Sequence, residues 1–397
     1  MTTDGLSGIT VLDLTRVMSG PYSTLMLADM GARVIKVEHP RRGDDTRAWG
    51  PPFIGGESAY FLSVNRNKES LTLDFKQPDG RRILDALVDR ADVLVENFRP
   101  GTLQRLGLDY PSLAPRVPRL IYASISGYGH TGPLKDVAGY DAVTQAEGGL
   151  MSVTGDAAGP PFRLGLPIAD LVSGLFAAQG ILLALLERVT TGRGRHIDIS
   201  MLDSVAALLT YQTTAHLATG DNPPRMGNAH ASIVPYDTFE ASDGPLILAV
   251  GNDDQWRRFC AAAGLPELAA DEQFATNPQR VVRRHLLQPI LARVMQTRDR
   301  ADWTERLRQA GVPCGAVRTV GEMLADPQIQ AREMITTVQH PSAGELRLVA
   351  SPVKLSDGPS RADRPPPTLG EHTDAILTKE LGFSEEQVRD LRQRHVV

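Results

Sequence analysis

Two strands and a crossover helix occupy the first forty residues. GITVLDLT (8–15) is an apolar run of strand length, RVMSGP interrupts it, YSTLMLADMG has helical spacing, and RVIKVEHP returns to β-branched residues. This strand, helix, strand unit opens a doubly wound α/β fold. It recurs in LTLDFK (71–76), a helix over 78–91 and DVLVENF (92–98), and RLIYASIS (119–126) adds another strand. Ligands of such sheets sit at the carboxyl ends of the strands, which points to Arg16, Val17, Met18, Ser19 and Gly20. The dinucleotide fingerprint is absent from that first turn, and this disfavours a nicotinamide or flavin enzyme. GYGHTG (127–132) has the fingerprint's spacing, but Pro133 and a polar turn follow in place of a helix, so the segment reads as a flexible loop over a ligand.

The stretch 163–188 places one carboxylate, Asp170, at the boundary between PFRLGLPIAD and the apolar LVSGLFAAQGILLALLER. Gly174, Ala177, Ala178, Gly180 and Ala184 let other backbones approach this helix. Two readings of Asp170 stand side by side. As an N-cap it accepts from the orphan amides of the first turn; as a nucleophile it is held ionised there, with free amides beside it to stabilise an oxyanion. The apolar run over 171–186 contains Ser173 and Gln179 and is short for a membrane span.

Elsewhere the chain divides by composition. The segment 41–68 is rich in Gly, Pro and charge and reads as a long functional loop, because Trp49, Phe53, Tyr60 and Phe61 are costly to leave exposed. DNPPRMGN (221–228) marks a linker. SIVPYDTFEASDGPLILAVGN then reads as a hairpin turning at Ser242, Asp243 and Gly244, and helical patterns follow it. From about residue 323 come ELRLVASPVKLS, the Pro-rich RADRPPPTLGEHT and a closing helix in SEEQVRDLRQRHV. A net charge of −5 with 22% charged residues gives no electrostatic reason to expect nucleic acid or membrane. Two cysteines form neither a disulfide framework nor a zinc site, the nine histidines lack metal-ligand spacing, and MTTDGLSG has no leader character. These features fit a cytoplasmic protein with no metal and no permanently bound cofactor. No G-x-S-x-G elbow or HExxH is present.

Taken together, GITVLDLTRVMSGP, LADMGARVIKVE, GDDTRAWGP, NRNKESLTLD, DVLVENFRPG, ISGYGHTGP, the AD of PIADLVSG, TGRGRHIDISM, GVPCG and LGEHTDAIL resemble, in order and spacing, the class III CoA-transferases. That family includes formyl-CoA and carnitine CoA-transferases and α-methylacyl-CoA racemase. Within it, GDDTRAWGPPF, YFLSVNRNK, GYDAV and GNAHASIVPY look similar to the succinyl-CoA:glutarate and related succinyl-CoA:dicarboxylate enzymes. The resemblance implies an α/β fold: a Rossmann-like parallel-sheet large domain built from both chain ends, a smaller α+β domain, and an interlocked homodimer. The expected boundaries are 1–224, 225–322 and a returning segment over 323–397.

The resemblance also implies chemistry. Asp170 matches the family's nucleophile, which forms a mixed anhydride and then an aspartyl-CoA thioester, with CoA thioesters as substrates. Matching positions imply CoA contacts at Arg16, Val17 and Met18 near the thiol arm, and at His39, Leu73, Lys76, Asn97, Phe98 and Arg105 around adenine and phosphates. His39 replaces an Arg of the formyl-CoA enzyme. Arg47, Arg66, Tyr140 and His230 are the candidate acceptor-site residues, since Arg suits bidentate carboxylate binding; support of loops or binding of CoA phosphate is the competing role for the cations. The racemases pair their Asp with a His in a GHD motif, whereas this chain has Gly139, Tyr140, Asp141. That favours transfer over racemisation or epimerisation, and a non-catalytic CoA-binding protein is the remaining alternative.

Overall fold

The computed structural model describes residues 5–356 and 364–397. Arg361, Ala362 and Asp363 of the Pro-rich segment, and the first four residues of the chain, lie outside the described residues. Two compact units are present. The first comprises residues 1–150, 163–214 and 327–397, and the second residues 151–162 and 215–326.

The first unit is built on a six-stranded parallel sheet. Its N-terminal elements are β1 (Thr10–Asp13), α1 (Ser19–Asp29), β2 (Arg33–Glu38), β3 (Lys68–Thr72), α2 (Pro78–Val88), β4 (Val93–Glu96), β5 (Ile121–Ser126), α3 (Asp141–Glu147), α4 (Ile168–Thr191) and β6 (His196–Ser200). The strand order is β3-β2-β1-β4-β5-β6, so the order reverses between β1 and β4. In register, Val11 pairs with Val34 on one side and with Val93 on the other. Consecutive apolar residues serve opposite faces. Val11, Val34, Val93 and Ile121 pack with Leu27 of α1 and Ala177 and Ile181 of α4. Leu12, Ile35, Leu94 and Tyr122 pack instead with Leu84 of α2 and with Leu377 and Leu391 near the C-terminus. Each fully buried Val, Leu or Ile among them contributes about 1.5–3 kcal/mol.

Strand β3 lies three residues earlier than the 71–76 reading. Lys68 and Ser70, polar by sequence, point inward here: Lys68 Nζ meets Asp13 at 3.2 Å with both side chains fully buried, and Ser70 Oγ donates to Glu38 at 2.7 Å. Apolar periodicity cannot find a strand whose interior face is charged. The segment 41–68, read as loop, contains a 3-10 turn (Asp45–Ala48), a small hairpin (Phe53–Ile54 with Glu57–Ser58) and a helix (Ala59–Val64).

Helix α4 runs for 24 residues, longer than its apolar run, and by length and composition alone it could cross a membrane. It is instead the crossover between β5 and β6, with Ala169, Val172, Gly174, Ala177, Ile181 and Ala184 buried. A Cβ on Gly174 would lie 2.7 Å from the Ser19 carbonyl oxygen, so glycine is what lets α1 lie this close to α4. The C-terminal segment returns to this unit, where Val396 and Val397 enter the core and the Asp74 amide donates to the Val396 carbonyl at 2.7 Å.

The second unit centres on an antiparallel sheet of Tyr236–Ala241, Gly244–Ala249 and Cys314–Ala316, with the middle strand paired to both others. The first two strands form the expected hairpin, turning through Ser242 and Asp243 before Gly244 at φ +137°. Trp256, Phe259, Leu287, Leu291 and Trp303 fill its core.

Candidate active site

The reversal of strand order between β1 and β4 leaves a crevice at the carboxyl ends of those strands, where α/β sheets bind ligands. The two chains leaving the crevice are tied together. The Arg16 amide donates to Asn97 Oδ1 at 2.9 Å, and Asn97 Nδ2 donates to the Arg16 carbonyl at 2.7 Å. One side-chain amide thus satisfies both backbone groups of Arg16. Its guanidinium meets Asp45 at 3.3 Å and lies 5.3 Å from the Phe98 ring centre.

Asp170 enters the same place from α4. It is the third residue of the helix, and the residue preceding the helix, Pro167, makes no side-chain cap. The capping role belongs to Asp141 at the start of α3: its Oδ1 accepts from the Ala169 amide at 2.8 Å and from the Asp170 amide at 3.4 Å, while Gln145 Nε2 donates to its Oδ2 at 2.7 Å. The amides of Ile168 and Leu171 donate to the carbonyls of Leu166 and Pro167. The N-cap reading of Asp170 is therefore corrected, and so is the expectation of open amides beside it. A carboxylate from a separate helix does the capping, which frees the Asp170 side chain.

Burial, and next the negative charge of Asp141, push the Asp170 carboxyl up to about 7, against a hydrogen bond from Ser19 that favours its charged form. Tyr60 responds to the same field. Burial first, then the carboxylates of Asp170 and Asp141, raise its phenol to about 12. An acid at this position changes charge near neutral pH, as a tuned reacting group does.

Asp170 lines a cavity of about 240 Å³ with Arg16, Ser19, Asn97, Arg99 and Tyr140. Gly127 and Gly139 also line it, and they touch backbone to backbone: a Cβ on Gly139 would lie 2.3 Å from the Gly127 Cα. Among the described residues, no histidine lines this cavity. A second cavity of about 330 Å³ shares Arg16, Phe98 and Arg99 as walls and carries His39, Arg42 and Lys76. The basic side chains of the second cavity suit the anionic part of a ligand.

The sequence-derived residues fall into distinct groups. Arg16, Val17, Asn97, Phe98 and Tyr140 line the Asp170 cavity, and His39, Leu73 and Lys76 line the second one together with Arg16 and Phe98. Met18 is buried against Leu25 and Val64, and exposed Arg105 lines neither cavity. Arg66 is buried, bonding Asp29 through Nε at 3.0 Å and the Val349 carbonyl through Nη1 at 2.8 Å. Arg47 holds Glu38 through Nε at 2.7 Å and Nη2 at 2.8 Å, with its guanidinium 3.6 Å from the Phe61 ring centre. Neither arginine lines the Asp170 cavity. His230 belongs to the second unit, its ring 5.4 Å from that of Tyr236. Sequence reasoning named Asp141 and Tyr60 without giving either a role at the site, and it passed over Arg99. Arg99 was findable two residues beyond Asn97, whereas nothing local links Asp141 to a helix beginning 27 residues later.

Known proteins resemble this chain over nearly its whole length. The family model for CoA-transferase family III matches residues 6–373. A succinate–glutarate CoA-transferase of Agrobacterium fabrum is 43% identical over 94% of this chain and 95% of its own. An acetyl-CoA:oxalate CoA-transferase of Acetobacter aceti is 42% identical over 95% and 96%. The crystal structure of a CAIB/BAIF family protein from Brucella suis superposes with a TM-score of 0.85 at 42% identity, over 94% of this chain and 99% of that one. On the strength of a match that runs through both units, this chain belongs to CoA-transferase family III.

Proposed function

We propose that the enzyme moves CoA from succinyl-CoA to another dicarboxylic or hydroxydicarboxylic acid through covalent intermediates on Asp170. The observation that carries this reading is the uncapped, half-buried carboxylate of Asp170 in a cavity continuous in its walls with a basic groove. Ionised Asp170 attacks the thioester carbonyl, the C–S bond breaks, and CoA leaves as thiolate from the mixed anhydride. The thiolate then attacks the Asp170 acyl carbon, releasing succinate and leaving an aspartyl-CoA thioester. The acceptor carboxylate reverses both steps: it displaces thiolate to form a new anhydride, and the thiolate takes the acceptor's acyl group, restoring Asp170. The thioester's free energy stays in enzyme-bound species throughout. Water must be kept from them, and we assign that role to the GYGHTG loop and the 41–68 segment.

The proposed CoA contacts are Arg16, Val17, His39, Leu73, Lys76, Asn97 and Phe98, with the basic residues of the larger cavity taking the phosphates. Tyr140 faces the acceptor. The relatives named for glutarate and oxalate support a dicarboxylate acceptor, and the one named for acetyl-CoA makes acetyl-CoA the competing donor. Racemisation is disfavoured because the racemases pair their Asp with a His, and no histidine lines this cavity among the described residues. The working form is an interlocked homodimer, in the cytoplasm, where free Cys260 and Cys314 stay reduced.

Incubating the protein with succinyl-CoA or acetyl-CoA and a panel of acids, followed by mass spectrometry of the acyl-CoA products, tests the reading. A new dicarboxyl-CoA is the expected product. Exchange of the α-proton with solvent in the absence of any acceptor would point to racemisation, and CoA binding without turnover would leave only a binding protein.

A further inference from the structure

The turn between β1 and α1 is fixed group by group by buried side chains. The Thr15 amide donates to Asp13 Oδ1 at 2.9 Å, and the Thr15 carbonyl accepts from Lys36 Nζ at 2.9 Å. Asn97 takes both backbone groups of Arg16. The Val17 amide donates to Asp44 Oδ1 at 3.2 Å. Five successive backbone polar groups are thus held by side chains from four different places in the chain.

Val17 is the strained point of this turn. Its φ is +71°, the left-handed region, which a β-branched residue strongly disfavours. Such a conformation persists only when its surroundings impose it. The Val17 amide is held there by the Asp44 carboxylate, which also accepts from the Thr46 amide at 3.0 Å and hydroxyl at 2.8 Å, and which pairs with Lys36 Nζ at 2.9 Å; both charged side chains are fully buried. Attraction to Lys36 lowers the Asp44 pKa in spite of burial, so the clamp stays charged.

We propose that Asp44 and Lys36 are positioning residues: an ion pair buried behind the wall of the second cavity that locks Val17 in the left-handed conformation and so sets the cradle on which the thioester arm of the donor lies. Asp44 and Lys36 back the second cavity with fully buried side chains and do not line the Asp170 cavity, whereas Arg16, Val17 and Ser19 do. The inference rests on the CoA-transfer reading of that cavity.

The test is rescue by glycine, which takes a positive φ without help. Asp44→Ala should lower kcat/KM for the acyl-CoA donor by about tenfold, the rate equivalent of the released strain. Val17→Gly added to Asp44→Ala should recover most of that loss, while Val17→Ala added to the same background should not. Because Asp44→Ala removes the ion-pair partner of a buried lysine and can unfold the chain, the series is repeated on Lys36→Met with Asp44→Leu, which removes both charges together. A glycine double variant no better than its alanine counterpart in both backgrounds, or Asp44→Ala with wild-type kcat/KM, would overturn the clamp. If the wild-type enzyme transfers no CoA, the proposed function itself fails; the clamp is then read from CoA affinity by calorimetry across the same variants, with the same order expected.

Discussion

Asp170 owes its raised pKa to burial and to one neighbour, Asp141, that does two jobs. Asp141 takes the amides of Ala169 and Asp170 and, in the same position, repels the charge on the Asp170 carboxylate. Burial is the larger cause of the raised pKa, and Asp141 is the next. Only the ionised carboxylate attacks a thioester, so kcat/KM for the donor should fall as pH drops through about 7. Asp141→Asn keeps an oxygen for the Ala169 amide and removes the negative charge. It should move that acidic limb to lower pH, a shift read from pH–rate profiles of the two proteins; an unmoved limb would deny the coupling. Sequence alone made Asp170 conspicuous, because an acid stood where a small-residue turn meets an apolar helix. It could not reveal that the cap is non-local, because Asp141 reaches α4 through folding and not through spacing.

At the scale of elements, apolar patterning located most strands and helices but missed the charged interior of the β1–β2–β3 edge. Asp13, Lys36 and Lys68 are fully buried there, and Asp13 is held down to about 2 by Lys68 and Lys36, with hydrogen bonds from Thr15 and Thr24, against the effect of burial. Such residues read as solvent-facing until their partners are known. Arg66 shows the same limit. It looked like a carboxylate receptor, and in the fold it joins the end of α1 to the Ile335–His340 and Gly344–Val349 hairpin through Asp29 and the Val349 carbonyl. Arg66→Ala takes the guanidinium from Asp29, leaving the Asn67 amide at 2.9 Å to hold a carboxylate in a site that already raises its pKa by burial. It should destabilise the chain by about 3–5 kcal/mol. Denaturant unfolding measures that loss, and the acceptor KM of the folded fraction should be unchanged; a raised acceptor KM with normal stability would return Arg66 to the acceptor site.

At the scale of the molecule, α4 has two faces of different character. One packs on the sheet and on α1, and the other leaves Leu183, Leu186 and Val189 between 57% and 84% exposed. A continuous apolar face of this kind marks an interaction surface. The proposed homodimer covers it, so sedimentation or light scattering should give twice the chain's 43.0 kDa at micromolar concentration. Leu183→Glu with Leu186→Glu should shift the population toward monomer. A monomeric wild-type protein would refute the dimer. Linked rings are a property of two chains together, which neither periodicity nor composition encodes, and that part of the expectation came from resemblance alone.

The account turns on a covalent bond at Asp170. The direct measurement is mass spectrometry of the protein after brief exposure to succinyl-CoA without acceptor, followed by hydroxylamine and peptide mapping. The mechanism predicts a hydroxylamine-sensitive adduct on the peptide containing Asp170, absent from Asp170→Asn, together with loss of transfer in that variant and an unaltered fold. Full transfer by Asp170→Asn, or an adduct on any other residue, would contradict it.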